Sequence, residues 1–215
     1  MKAVFFDAAG TLLHLPKGVG WHYARVAERH GGYLSAETLE SRFRTVWSVT
    51  QPVLETDGPR PDDDREWWRS LVARVFSDAP PSFDLDAFFP DVWEEFARPG
   101  VWALYPETLE VLRALSGRAR LGVVSNFDGR LHRILSQLGL AQTFEHVVVS
   151  SEVGADKPSP KIFTNALERF GVEPSDVVFV GDSPEEDWAG AERAGMQVFR
   201  LQRPGNDLRG LLQML

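Results

Sequence analysis

Five short apolar segments recur along the chain. They are KAVFFD at 2–7, RLGVVS at 120–125, EHVVVS at 145–150, DVVFVG at 176–181 and MQVFRL at 196–201. Their apolar character is largely continuous rather than alternating, which is typical of parallel strands buried on both faces. The pattern therefore predicts five buried strands.

Helical periodicity separates the later apolar segments. The stretches with apolar residues at intervals of three and four are 107–115, 129–139, 160–171 and 185–195. Three of them reach a glycine, Gly139, Gly171 or Gly195, and glycine commonly ends a helix. Strands that alternate with helices form parallel sheets through crossover connections. We therefore predict an α/β fold with a doubly wound, Rossmann-like parallel sheet.

The residues between the first and second apolar segments follow another pattern. Four stretches there combine helical periodicity with large aromatic residues: GWHYARVAERHGG, ETLESRFRTVWSV, DREWWRSLVARVF and DAFFPDVWEEFA. This predicts a helical domain over residues 16–100, inserted after the first strand of a core domain made of residues 1–15 plus 101–215. The segments 15–20 and 98–106 contain proline and glycine and are the expected hinges, although ordinary turns contain the same residues.

Composition narrows the classes of function. The 215 residues are 43% hydrophobic and 25% charged, which is ordinary for a soluble globular protein. The chain has no cysteine, which excludes disulfides, thiolate metal ligands and a cysteine nucleophile. Its net charge of −8 argues against nucleic-acid and anionic-lipid partners. No apolar run could span a membrane and the first residues lack a secretion-signal pattern, so we expect a cytoplasmic protein, with its oligomeric state left open.

Polar residues follow the predicted strands at the points where the strands end. They are Asp7, Ser125, Asn126, Asp182 and Asp187, joined by Lys157 beyond the third strand. The carboxyl ends of parallel strands form the ligand-binding edge of an open α/β sheet. Taken singly, each residue is more typical of a turn, a helix cap or the protein surface than of a functional site. Together they supply a carboxylate nucleophile, oxygen ligands for Mg²⁺, and a lysine and a hydroxyl for phosphate oxygens, which are the parts of metal-assisted phosphoryl transfer.

Four segments carry a resemblance to a known family. DAAGT at 7–11, VVSN at 123–126, the lysine of GADKP at 154–158 and GDSPEED at 181–187 match the four motifs of the haloacid dehalogenase-like hydrolase superfamily in order and spacing. The helical insert lies where that superfamily places its first type of cap domain. The resemblance spans nearly the whole chain, and it implies a small phosphorylated or otherwise anionic substrate.

The resemblance also implies roles for individual residues. Asp7 would be the catalytic nucleophile, and Ser125 and Lys157 would bind phosphate, with Lys157 also acting in catalysis. Asn126 would support the phosphate end of the site or cap a helix. The implied cofactor is Mg²⁺, and the groups implied to lie at or beside it are Asp7, the backbone carbonyl of Ala9, Asp182 and Asp187.

Ala9 departs from the family pattern. Phosphatases of the superfamily generally have a second aspartate at this position, which protonates the leaving alcohol and later activates the hydrolytic water. The loss of a general acid–base group typically costs about 10²–10⁴-fold in rate. The sequence thus predicts a Mg²⁺-dependent, phosphatase-type enzyme that forms an aspartyl phosphate at Asp7, with weakened acid–base catalysis.

Three alternatives stay open at this point. A haloacid dehalogenase needs no proton for its leaving group, but that subclass does not need Mg²⁺ and usually lacks the acidic pair of Asp182 and Asp187. A phosphonatase has alanine at position 9 but needs a cap lysine, and Lys17 lies too near Asp7 in the sequence to match. A protein that binds a phosphorylated ligand or a partner without turnover is favoured by Ala9, whereas the other motif residues argue against it.

Two histidines and the tryptophans of the insert are further candidates for residues that act in catalysis or bind substrate. His14 and His22 lie near the first hinge and titrate in the range of an acid catalyst, but a surface or helix-capping role is the favoured interpretation. The tryptophans could line an apolar substrate pocket, yet their helical spacing favours packing within the insert. They are Trp21, Trp47, Trp67, Trp68 and Trp93.

Overall fold

The computed structural model describes residues 2–53 and 55–214. Its strands are β1 (Ala3–Phe6), β2 (Leu13–His14), β3 (Ala103–Leu104), β4 (Arg120–Ser125), β5 (His146–Val149), β6 (Val177–Gly181) and β7 (Gln197–Arg200). Its α-helices are α1 (Gly18–Ala27), α2 (Ala36–Val49), α3 (Arg65–Val75), α4 (Leu85–Glu95), α5 (Thr108–Leu115), α6 (Arg130–Gln137), α7 (Ser150–Val153), α8 (Pro160–Phe170), α9 (Gly190–Arg193) and α10 (Leu211–Met214).

A five-stranded parallel sheet organises the fold, in the order β5–β4–β1–β6–β7. The five predicted strands and the α/β fold class are confirmed. β1 is the central strand, and its Ala3 lies opposite Arg120 of β4 and Val177 of β6. The carboxyl ends of these three strands therefore meet at one edge, which brings together the residues that follow them.

Apolar side chains bury the three central strands in the way the continuous runs predict. The prediction of a buried strand was wrong for β7, which lies at the edge of the sheet with Gln197 and Arg200 exposed. All four residues of β1 and all five of β6 are buried. Phe5 of β1 packs edge-on against Phe170, and Phe163 of α8 packs against Phe179 of β6. Such aromatic pairs contribute about 0.5–1.5 kcal/mol each beyond the area they bury. Strands held this firmly give the residues at their ends fixed positions.

Two local features differ from the expected pattern. The expected hinge at 98–106 contains β3, which pairs antiparallel with β2, directly before the other expected hinge at 15–20, with Leu13 opposite Leu104. The expected helix over 185–195 begins instead as a π-helical turn at Pro184–Ala189 and continues as α9. π-helical turns are rare and are frequently found at functional sites.

The chain divides into two compact units. The first comprises Met1–His14, Val53–Asp63 and Ala103–Leu215, and it contains the sheet. The second comprises Leu15–Pro52 and Asp64–Trp102, and it contains α1 to α4. Residues 53–63 lie inside the predicted helical domain in sequence but belong to the sheet-containing unit. The assignment of the two units as core domain and cap domain stays a prediction.

The helical unit has a core of its own. Tyr23 packs against Phe43, Phe76, Phe88 and Phe96, and these rings lie among buried aliphatic residues. Side-chain caps define the starts of two of its helices, with Ser35 accepting from the Thr38 amide and Asp84 from the Ala87 amide. Among the described residues, no helix combines the length and apolar character needed to cross a membrane.

Candidate active site

Asp7 lies at the centre of the sheet edge, immediately after β1. Its backbone amide donates to the carbonyl of Val180, which extends the pairing with β6 by one residue. Its side chain is buried, and the Ser125 hydroxyl at the end of β4 donates to Asp7 Oδ1 over 2.9 Å. The carboxylate is therefore held in one orientation by the strands on either side.

Lys157 completes the surroundings of Asp7. Its side chain is 1% exposed, and its Nζ donates to Asp7 Oδ1 at 2.7 Å and to Asp187 Oδ1 at 2.6 Å. A buried ammonium group is costly unless it is paired and hydrogen-bonded, and the two carboxylates provide both. Lys157 thus bridges the acid after β1 and an acid of the π-helical turn, 150 and 30 residues away in sequence.

Asn126 fixes the backbone that carries Lys157. The Asn126 side-chain amide donates to the Lys157 carbonyl over 2.9 Å, and its oxygen accepts from the Lys157 amide over 2.6 Å. These two bonds satisfy both backbone groups of the lysine. The described side-chain contacts of Asn126 therefore point to orienting Lys157 rather than to capping a helix.

Three carboxylates converge beside this pair. Oxygen atoms of Asp7, Asp182 and Asp187 lie within 4.8 Å of one another, close enough to share a metal ion. The approach depends on glycine, because a Cβ on Gly10 would stand 2.5 Å from Asp182 Oδ2 and one on Gly181 would stand 2.3 Å from Asp187 Oδ2. Gly10 also has φ of +94°, a conformation that other residues rarely adopt.

The electrostatics of this cluster are strongly perturbed. Burial raises the pKa of Asp7 to about 7, Lys157 opposes this rise, and the charges of Asp187 and Asp182 add to it. Burial lowers the pKa of Lys157, but Asp187 and Asp7 outweigh burial, so its pKa lies above the usual range and the ammonium stays charged. Three carboxylates face this one ammonium group in the cluster, and a bound cation would offset the excess negative charge.

The donor set fits a hard divalent cation. Every side-chain donor in the cluster is a carboxylate oxygen, the type of ligand that Mg²⁺ prefers. Next to the cluster, the Leu13 amide donates to the Ala8 carbonyl and the Gly10 amide donates to the Leu13 carbonyl, and neither bond uses the carbonyl oxygen of Ala9. Both oxygens of Asp187 already accept hydrogen bonds, from Lys157 and from the Ser183 amide. Asp187 is thus suited to a place beside the ion.

Sequence reasoning missed Thr11 and a cavity at the same edge. The Thr11 hydroxyl donates to Asp182 Oδ1 over 3.1 Å, and the DAAGT motif that contains Thr11 was the available signal. A cavity of about 260 Å³ opens beside Asp182. Its lining residues are Gly10, Tyr105, Asp182, Pro184, Trp188, Leu201, Gln202 and Arg203. The guanidinium of Arg203 stacks on the Tyr105 ring at 3.6 Å.

The two candidate histidines have different surroundings from those expected. His22 is buried within the helical unit, where its Nδ1 bonds Glu95 Oε1 over 2.9 Å, so its interpretation as a surface or capping residue was wrong. His14 is partly buried and stacks on Tyr105 at 4.6 Å. Neither ring has a described contact with Asp7.

The tryptophans pack largely as their spacing indicates. Trp67, Trp68 and Trp93 contribute to the core of the helical unit. Trp47 is 47% exposed and stacks on Trp68 at 5.8 Å. The Trp21 ring lies 3.9 Å from Nζ of Lys17.

Comparison with known proteins places this geometry in a family. The sequence model of the haloacid dehalogenase-like hydrolases matches residues 1–195. The chain belongs to this family. Haloacid dehalogenase-like hydrolase domain-containing protein 3 of Mus musculus is 34% identical over 203 residues, which cover 93% of this chain and 81% of that protein. The predicted family membership is therefore confirmed.

Two of the similar proteins have names that state a phosphatase activity. Glyceraldehyde 3-phosphate phosphatase of Methanopyrus kandleri is 41% identical over 222 residues, covering 94% of this chain and 84% of that protein. The crystal structure of a HAD phosphatase from Thermococcus onnurineus superposes with a TM-score of 0.71 at 28% identity, covering 100% of this chain and 97% of the other. This haloacid dehalogenase-like hydrolase is thus similar to phosphatases over nearly its whole length.

Proposed function

We propose that this hydrolase is a Mg²⁺-dependent phosphatase that cleaves small phosphate monoesters through an aspartyl phosphate at Asp7. The observation that carries the proposal is the environment of one carboxylate. Asp7 is buried, is oriented by Ser125 and Lys157, and shares a potential metal site with Asp182 and Asp187. The similarity to two phosphatases supports the same activity.

Asp7 is suited to nucleophilic attack on phosphorus. Ser125 and Lys157 both donate to its Oδ1, and Oδ2 takes part in neither bond. Attack by the carboxylate forms an acyl phosphate and breaks the ester bond, and the leaving alkoxide must take a proton. Water then attacks the acyl phosphate and releases phosphate, which regenerates the carboxylate.

Lys157 and Ser125 would stabilise the phosphoryl group during both steps. A phosphate dianion approaching a cluster of carboxylates is repelled unless nearby cations balance the charge. The buried ammonium of Lys157 provides one such charge, and the Ser125 hydroxyl can donate to a phosphate oxygen instead of to Asp7. Asn126 would support the phosphate-binding end of the site through its two hydrogen bonds to the Lys157 backbone.

Asp7, Asp182 and the Ala9 carbonyl would hold Mg²⁺, with Asp187 beside it. When bound, the ion would neutralise charge on the phosphoryl oxygens and polarise the phosphorus centre. Thr11 fixes one oxygen of Asp182 and leaves the other for the ion. Asp187 links this part of the site to Lys157 and keeps the ammonium directed at Asp7.

The cavity beside Asp182 favours a small substrate. Its volume of about 260 Å³ lies just below the usual range of ligand pockets, which begins near 300 Å³. Tyr105 and Arg203 would offer a planar face and a cation to the organic part of the ester. Glyceraldehyde 3-phosphate, named for one relative, is a phosphate ester of this size class.

A second candidate function is binding of a phosphorylated ligand without turnover. Ala9 favours this candidate, because its methyl group cannot protonate a leaving alkoxide or activate water. The two candidates differ in whether a phosphoryl group reaches Asp7, and that difference is measurable.

The test is hydrolysis of p-nitrophenyl phosphate, whose leaving group needs little protonation. We expect release of p-nitrophenol that depends on Mg²⁺, stops with a chelator, and falls to background in Asp7→Asn. Acid quenching during turnover should trap an acyl phosphate on the peptide that contains Asp7.

A matched variant guards against nonspecific effects. Asp176→Asn makes the same change at the amino end of β6, away from the site, and should keep wild-type activity. Undiminished hydrolysis in Asp7→Asn would rule out the proposed nucleophile. Binding of phosphate with neither product release nor a trapped acyl phosphate would select the non-catalytic candidate.

A further inference from the structure

A short stretch of the helical insert belongs to the sheet-containing unit. Residues 55–63, here called the strap, lie between α2 and α3 in sequence. Most of their hydrogen bonds run to residues 151–161, about 90 to 105 residues away along the chain. These residues include the loop that carries Lys157, residues 154–159, and the adjoining parts of α7 and α8. The helices before and after the strap, α2 and α3, belong to the other unit.

The strap pairs with the loop through backbone atoms. The Thr56 amide donates to the Gly154 carbonyl over 2.8 Å, and the Arg60 amide donates to the Ser151 carbonyl over 2.7 Å. A Cβ on Gly154 would stand 1.9 Å from the carbonyl oxygen of Gly58, so this approach is possible only with glycine at position 154. The strap therefore lies directly on the residues that lead into Lys157.

Side chains secure both ends of the strap. The Ser159 hydroxyl donates to Glu55 over 2.6 Å, two residues after Lys157. At the other end, the Asp63 carboxylate accepts from the Gly129 amide over 2.9 Å and from the Ser151 hydroxyl over 2.6 Å. The contacts thus span the whole loop on this side.

Arg60 makes the central contact of the strap. Its side chain is 6% exposed, and its Nη1 and Nη2 both donate to Asp156 Oδ1 over 3.0 Å. Asp156 is itself largely buried and directly precedes Lys157. Ion pairs on the surface contribute little, but a buried pair leaves a costly unpaired charge when one partner is removed, so its geometry is strongly maintained.

We propose that Arg60 is a positioning residue for Lys157. Asn126 holds the Lys157 backbone from one side, and Arg60 holds the preceding residue, Asp156, from the strap. Lys157 must reach both Asp7 and Asp187 with a single Nζ, which requires its Cα to stay in place. The expected effect of Arg60 on catalysis rests on the proposed phosphatase function, whereas its expected effect on the position of Lys157 does not.

The first test measures access to the Lys157 amine. The folded protein is treated with an amine-acetylating reagent, and the acetylation rates of individual lysines are followed by mass spectrometry. In the wild type, Lys157 should react far more slowly than Lys2, whose side chain is 64% exposed. In Arg60→Ala, the rate at Lys157 relative to Lys2 should rise tenfold or more.

Two further variants keep the result interpretable. Arg120→Ala removes an arginine that pairs with Glu145 at the amino end of β4, and it should leave Lys157 protected. If Arg60→Ala does not fold, Arg60→Met with Asp156→Leu removes both charges at once and leaves neither one unpaired. That double variant should also expose Lys157 to acetylation.

Kinetics give a second, separate readout. If the wild type hydrolyses p-nitrophenyl phosphate, kcat of folded Arg60→Ala should fall about tenfold or more, and millimolar guanidinium should partly restore it. Lys157 that stays as protected in folded Arg60→Ala as in the wild type would overturn the proposal. An inactive wild type with protected Lys157 would contradict the phosphatase function alone.

Discussion

At the scale of single residues, the most informative position is Ala9, two residues after the proposed nucleophile. Its side chain is exposed, so a larger residue meets no packed neighbour there. Its carbonyl is a backbone group and stays available to Mg²⁺ whatever the side chain. Position 9 can therefore be changed without changing the rest of the proposed machinery.

Ala9→Asp should raise the hydrolysis of alkyl phosphates. The new carboxylate would protonate the leaving alkoxide and later activate water, and such groups contribute at most about 10²–10⁴-fold. Activity on p-nitrophenyl phosphate should rise less, because p-nitrophenolate leaves without protonation. The measurement is the ratio of the two activities in wild type and variant, each with Mg²⁺.

The double variant Asp7→Asn with Ala9→Asp provides the control and should be inactive on both substrates. A ratio that does not change in folded Ala9→Asp would mean that another group supplies the proton. In that case Tyr105, which lines the cavity beside Asp182, would be the next residue to substitute.

At the scale of elements, a buried polar pair joins α1 to α4 in the helical unit. Glu95 of α4 is fully buried, and it accepts hydrogen bonds from His22 and Arg25 of α1. Burial raises the pKa of the Glu95 carboxyl, but these bonds outweigh burial and hold the pKa below 4.5. Burial also lowers the pKa of His22 below 6.5, against the opposing effect of Glu95.

Acid should destabilise this unit in two steps. Below about pH 6.5 the unfolded chain gains a proton at His22 that the folded chain resists, so the free energy of unfolding falls. A second loss follows as the pH passes below 4.5, where the unfolded Glu95 takes up a proton before the folded one does. Both groups have depressed pKa values, so both contributions are present at neutral pH and are lost on acidification.

Tryptophan fluorescence can follow this unit selectively, because six of the seven tryptophans lie within it. Urea unfolding between pH 8 and pH 5 should give a midpoint that falls with pH, and His22→Gln should remove most of that dependence. His132→Gln, which changes a surface histidine of α6, should retain it. An unchanged pH dependence in folded His22→Gln would show that His22 does not cause the loss of stability at low pH.

At the scale of the whole molecule, the chain passes between its two units four times, at positions 14/15, 52/53, 63/64 and 102/103. An insert joined only by its two ends would require two passages. The two additional passages enclose the strap, whose contacts lie within the sheet-containing unit. The sheet, the strap and the loop that carries Lys157 thus form one compact unit, and metal binding at its edge should stabilise all of it.

Mg²⁺ should therefore raise the melting temperature of the protein by mass action on the folded state. At a concentration ten times its Kd, an ion that binds only the folded chain contributes about 1.4 kcal/mol, or about 3–6 °C for a chain of this size. Asp182→Asn should remove most of this increment, and Asp176→Asn, which changes the aspartate directly before β6, should keep it. Equal shifts in wild type and Asp182→Asn would exclude Asp182 as a ligand.

The sequence by itself determined the strands, most of the helices and the family. Continuous apolar runs such as 177–180 and the three-four periodicity of 160–170 are local patterns, and burial on one or both faces follows from them directly. The residues at the strand ends were predictable because parallel topology gathers the carboxyl ends of neighbouring strands at one edge. Their catalytic roles stay predictions.

Only the tertiary structure decided which distant polar groups meet. Arg60 and Asp156 are 96 residues apart, and His22 and Glu95 are 73 apart, so no local pattern links the members of either pair. The sequence around a charged or polar side chain does not show whether that side chain will be buried against a partner. Hydrophobic periodicity is repeated over many residues and can be recognised in one segment, whereas a polar pair exists only once the fold has brought its two members together.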